Sequence, residues 1–199
     1  MSGEEKHYTP ETGRAGFLTR LRRLMRAREG VGAVEFTLVA PILLIIYLMS
    51  FEITVAVSLS RKVSHASSDI ADLVTQKTSV DTTYLATMTN VALAVIAPYG
   101  GTGLSLKISG ITIDSTSKAT ISWSWKSDGT RPYTNGASVT VPSDLLIANS
   151  FLIHSEVSMP YSLVLYLPGM SGTQNQSLTL SKEFYFRQRV GNNITCSNC

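Results

Sequence analysis

The chain has little charge, two cysteines and three histidines, and each scarcity removes a class of protein. Only 16% of its 199 residues are charged, against roughly 25% in ordinary soluble domains, a balance that points to a membrane or a polymer. Cys196 and Cys199 both fall in the last four residues, so they cannot form the framework that staples a small secreted fold. A Cys-x-x-Cys pair serves as a local disulfide, as half of a zinc site or as a redox motif. With no second such pair and no strand-helix context behind it, a structural disulfide is expected here. His7, His65 and His154 read as belonging to a tail, a stalk and a loop edge, with no two on one helical face, so no metal centre is expected. No Gly-x-Ser-x-Gly elbow or Ser-x-x-Lys element falls at a strand-to-helix junction, and Gly100, Gly101 and Gly103 lack the lysine and helix start of a phosphate loop. Neither a catalytic residue nor a cofactor is assigned.

The charge that is present is unevenly placed. The net charge of +3 would suit a nucleic-acid partner, but the basic residues cluster near the N-terminus and are not spread over a fold, which argues for membrane topology and no nucleic acid. Residues 1–13 are polar and of mixed charge, the composition of a tail. In GFLTRLRRLMRARE, residues 16–29, Leu18, Leu21, Leu24 and Met25 share one side among Arg20, Arg22, Arg23, Arg26 and Arg28. That is the pattern of a basic amphipathic helix on an anionic membrane face.

A long apolar run comes next, residues 31–60, with Glu35 and Glu52 its only charged members. As a helix it would reach about 45 Å. Its uncharged part, residues 36–51, covers about 24 Å, somewhat short of a hydrocarbon core of roughly 30 Å, and residues 53–59 extend it if Glu52 sits at an interface. One span fits and two do not. Arginines before the span outnumber Arg61 and Lys62 behind it, so the positive-inside rule puts the N-terminus in the cytoplasm and exports the chain beyond Arg61. A cleaved secretory signal with a site at residues 56–58 is the competing assignment, but the run is too long for it and contains Glu35.

Beyond the span Val63, Ala66, Ile70, Leu73 and Val74 keep helical spacing, extending the helix as a stalk to about Gln76. Thr78, Ser79 and Asp81 read as a restart. Leu85, Met88, Val91, Ala92 and Val95 then make a second amphipathic helix, ended by Pro98 and Gly100. The period next drops to two. Leu104, Leu106 and Ile108 alternate, Gly110 breaks the phase as a bulge would, and Ile111 and Ile113 resume. Ile121, Trp123 and Trp125 form the next strand, on one face, packing under the second helix. Val157, Met159, Tyr161, Leu163, Leu165 and Leu167 make a long strand in which Pro160 marks an edge or a break. Leu178, Leu180, Phe184 and Phe186 make the last. Residues 128–142 and 169–177 read as loops. The expected fold class is α+β: a long N-terminal transmembrane, pilin-like helix, a second short helix and an antiparallel sheet of about four strands. The expected division is a cytoplasmic leader over 1–30, the transmembrane helix and stalk over 31–77, and an exported α+β domain over 78–199.

The most informative spacing is at the head of the apolar run: Gly30, four residues from Val31, then Glu35 in fifth place and Phe36 in sixth. This resembles the recognition pattern of prepilin peptidases, and GAVEFTLVAP is similar to the TadE-like proteins of Tad pilus systems. SRKVSHASSDIADLVTQ (60–76), IAPYG (96–100) and FYFRQRVGNNITC (184–196) are similar to further stretches of that family. The long arginine-rich leader and the second terminal cysteine depart from it. The resemblance implies cleavage between Gly30 and Val31, a recognition and assembly role for Glu35 and Phe36, and no enzymatic activity. It implies as partners a prepilin peptidase, other pilins and pseudopilins, the Tad secretion machinery and the lipid bilayer of the cytoplasmic membrane. A minor pseudopilin of a Tad-type pilus, acting in pilus assembly and surface attachment, is the function it implies. The alternative is a membrane-anchored envelope binding module that never enters a filament.

Overall fold

The computed structural model describes residues 31–162 and 177–199. Gly30, the basic segment before it, the strand positions Leu163, Leu165 and Leu167 and most of the 169–177 loop lie outside the described residues. The chain falls into two compact units, divided between Ser50 and Phe51.

Helix α1, Val31–Thr75, supplies the first unit. From 32 to 50 its side chains are exposed apart from half-buried Ala40, and they are apolar nearly all round, as a helix solvated by lipid must be. Pro41 lies inside it and has no N–H to give to the Thr37 carbonyl one turn back. The Thr37 hydroxyl donates to the Ala33 carbonyl at 2.7 Å.

In the second unit the remainder of α1 becomes a core element. Leu59, Val63, Ala66, Ile70, Ala71 and Val74 are buried at spacings of three, four and one, which is one helical stripe. Strand β1, Ser79–Val80, leads into helix α2, Thr82–Ile96, whose N-cap is Asp81. The Asp81 carboxylate accepts the Tyr84 N–H at 2.7 Å, satisfying one of the orphan donors of the first turn. At the other end the Lys62 ammonium donates to the Val95 and Ala97 carbonyls at 3.2 and 2.8 Å, a cation where the helix dipole favours one.

Strands β2 (Ser105–Ile113), β3 (Ala119–Lys126), β4 (Ser150–Ser162) and β5 (Ser177–Arg187) form an antiparallel sheet in the order β3-β2-β4-β5. Strand β6, Thr195–Cys196, pairs in parallel with β1. One sheet face, with Leu106, Ile108, Trp123, Trp125, Ile153, Val157 and Met159, packs with the buried stripe of α1 and with Leu85, Met88, Ala92 and Ile96 of α2. Ile111, Ile113, Ala119, Ile121 and Leu152 form a separate cluster with Val141, covered by Tyr133, Val139, Leu145 and Leu146. The fold is the α+β arrangement that the periodicities predict.

Four local expectations change. The bulge sits in β3, not in β2: Gly110 pairs with Trp123 and Ile111 with Ile121, so Ser122 is the extra residue. The extra residue separates Ile121 from the tryptophans, and it packs in the second cluster instead of under α2. Strand β4 begins at Ser150, well before Val157. Phe151, Leu152 and Ile153 are all buried, and a stretch covered on both faces has no period of two to betray it. His154 therefore lies in mid-strand, nearly buried, and not at a loop edge. Pro160 is at an edge in the required sense: β2 pairing with β4 stops at Ser158, and Pro160 pairs with Thr179 of β5 alone.

Candidate processing and assembly site

Val31 is the first described residue of α1, and Glu35 and Phe36 follow it by about one turn. Glu35 is exposed, Phe36 is 71% exposed, and no other charged residue occurs from 31 to 50. Among the described residues of α1 the next carboxylate after Glu35 is Glu52, more than four turns on. Chemically the site offers a carboxylate and an aromatic ring on the surface of an apolar helix.

At the other end of the chain, Cys196 and Cys199 are joined, with Cα atoms 5.6 Å apart. The bond closes a tail that is stitched to the core by several groups. The Ile194 side chain is buried, and its carbonyl accepts the Trp123 indole N–H at 2.7 Å. The Asn198 side-chain oxygen accepts the Thr82 N–H at 2.9 Å, and the Ser197 N–H donates to the Val80 carbonyl at 3.2 Å.

A polar network on the second sheet face has no precedent in the sequence patterns. Lys107 of β2 faces Glu156 of β4, which faces Glu183 of β5. The Lys107 ammonium donates to Glu156 at 3.0 Å and to the Tyr133 hydroxyl at 3.3 Å, and Tyr133 donates to the other Glu156 oxygen. His154 Nε2 lies 3.0 Å from a Glu183 oxygen, and its ring stacks on Tyr185 with centroids 4.1 Å apart. Burial alone would lower the Lys107 ammonium, but its bond to Glu156 carries it above its ordinary value. Burial raises Tyr133, helped by Glu156, and pushes Tyr185 up to about 12, helped by Glu183. The network pins the 128–149 connection onto the sheet. Its partners come from three strands and a loop, so no sequence spacing reveals it. Among the described residues no group of three or more His, Cys, Asp or Glu could hold a metal ion.

By length and composition, α1 is the one helix among the described residues able to cross a membrane, and such a helix leading into an α+β unit suggests a single-pass membrane anchor. A family model described as TadE-like protein matches residues 30–72. That segment, from Gly30 through Glu35 and Phe36 into the buried stripe, is TadE-like, in keeping with the resemblance in the sequence. The match suggests a protein associated with the Tad pilus, its pilins and its machinery, in a family not known for enzymatic activity. No curated protein and no solved structure matches the chain.

Proposed function

We propose that the chain is a minor pseudopilin of a Tad-type pilus, cut by a prepilin peptidase after Gly30 and retained in the cytoplasmic membrane until it takes part in pilus assembly. The observation that carries this is the spacing of Gly30, Glu35 and Phe36 at the head of an apolar helix, within a segment that the TadE-like family model matches. Residues 1–30 are then a cytoplasmic leader, 31–77 the span and stalk, and 78–199 the exported domain. The arginines ahead of the span hold the leader inside. Cleavage removes them and leaves a new amino terminus four residues from Glu35, which a simple membrane anchor would have no use for.

Mass spectrometry of the N-terminus in protein isolated from the native host tests the proposal. A mature chain starting at Val31 is expected. An intact Met1 favours an anchored envelope module instead, and a start near Ser58 favours a cleaved signal peptide.

A further inference from the structure

Two long stretches of the second unit, residues 82–106 and 157–181, contain no Asp, Glu, Lys, Arg or His. Their described parts meet at one end of the unit. The Tyr99 hydroxyl donates to the Ser58 hydroxyl of α1 at 3.1 Å. Tyr161 lies close enough to Glu52 and Tyr99 for both to add to the raising of its pKa, after burial. A Cβ on Gly103 would lie 2.6 Å from Pro160 Cγ, and one on Gly101 would strike Leu93, so the α2–β2 turn is folded tightly onto both. Leu178 pairs with Tyr161 across β4 and β5. The result is a rim around residues 52–58 of α1, made of Leu93, Tyr99, Tyr161 and Leu178 with a glycine-rich turn.

This rim is apolar where it is exposed: Leu93 is 38% and Leu178 53% exposed. Phe51, Ile53 and Val57 of α1 are exposed at the same level. Helical rise from Phe36 to Ile53 is about 26 Å, close to a hydrocarbon core of roughly 30 Å, with Glu52 at its edge. The boundary of that core therefore falls beside Glu52 and Ile53, where the two tyrosines stand with apolar rings and polar tips, the side chain favoured at headgroup level. The nearby Lys62 is turned into the end of α2, and exposed Arg61 lies one turn beyond Val57, within reach of lipid phosphate.

We propose that this end of the α+β unit has its own contact with the bilayer: Leu93, the 100–103 turn, Tyr99, Tyr161 and Leu178 rest in the outer headgroup layer around the emerging helix. The contact rests on the membrane-anchor assignment of α1. It commits the unit to one orientation on the membrane.

The test uses the full chain in vesicles of phosphatidylethanolamine and phosphatidylglycerol, with the disulfide closed and a nitroxide label placed singly at Leu93→Cys, Thr102→Cys or Leu178→Cys. Thr116→Cys is the aqueous control, and Ile46→Cys tests the anchor. Collision with oxygen is compared with collision with a water-soluble nickel chelate. An oxygen-to-nickel ratio several-fold above the Thr116 value at all three positions is the expected result. Ratios equal to that of Thr116, with Ile46 deep in lipid, overturn the contact and leave the anchor standing. Loss of both collisions with dipolar broadening assigns the rim to a second copy of the chain and overturns the contact. An aqueous ratio at Ile46 removes the anchor, and the contact with it.

Discussion

A single hydrogen on Gly110 decides where the Trp123 indole goes. A Cβ there would lie 2.5 Å from Trp123 Nε1 and 2.6 Å from Phe151 Cζ, separations that close-packed interiors do not admit. With the space open, the indole reaches across to the Ile194 carbonyl and ties the C-terminal tail to the sheet. Tyr185 is the residue whose chemistry gives the clearest measurable consequence. Burial first, then Glu183 and Glu156, push its hydroxyl from the ordinary 10.0 up to about 12. The folded state thus holds this proton more tightly than the unfolded chain, and stability falls with rising pH wherever the native state binds more protons. The contribution is fully present below the unfolded value of about 10 and is lost as pH rises through about 12. Phenolate absorbance of wild type minus Tyr185→Phe should show a midpoint near 12, with the folded signal in circular dichroism weakening across that window. A midpoint near the unfolded value would mean that the ring is open to water.

Among the elements, those with one covered face were legible and those with two were not. The buried stripe of α1 and the Asp81 start of α2 come directly from period and capping chemistry, because each helix has a solvated side to supply contrast. The early half of β4 has none, so Phe151, Leu152, Ile153 and His154 gave no alternation. The displaced bulge had a different cause: Gly110 carries the steric mark in the sequence, while the extra residue, Ser122, sits on the neighbouring strand. The roles proposed for Glu35 and Phe36 rest on position along one helix, which the sequence displays directly. The network of Lys107, Tyr133, His154, Glu156 and Glu183 was not legible, because it exists only through strand register. The short β1–β6 pair supports an expectation about the tail. Cys196 and Cys199 close a very small loop, which limits the unfolded-state entropy that the bond removes to about 2 kcal/mol. The Cys196→Ser, Cys199→Ser double variant should therefore fold and lose no more than that in denaturant unfolding. Alkylation of wild-type protein from the native host without reductant should find no free thiol; reactive thiols there would contradict the Cys196–Cys199 bond and the export proposed for this unit.

For the whole molecule, the demand that stands out is made by Glu35. If α1 spans a bilayer as proposed, a carboxylate near the inner edge of the span is tolerable, since the cost falls away from the bilayer centre. In a packed helical bundle an unpaired carboxylate is worse, by several kcal/mol, unless it takes up a proton or finds a cation. No cationic side chain is available from 31 to 50, so within that segment only a new amino terminus can supply the charge. Cleavage after Gly30 would create one on Val31. Four helical rises separate Val31 from Glu35, about 6 Å, so a neighbouring subunit displaced along the axis can bring its amine closer than the chain's own can come. A pair that forms only at the right displacement rewards one register over others, the best-attested use of a buried charge. Glu35→Ala should then permit cleavage but impair assembly, whereas Gly30→Ala should reduce cleavage itself. Immunoblots of precursor and mature forms, read beside electron-microscopy counts of pili, separate the two steps. Normal processing with normal pili in Glu35→Ala cells would remove the pairing role and leave Glu35 as a residue of the anchor alone.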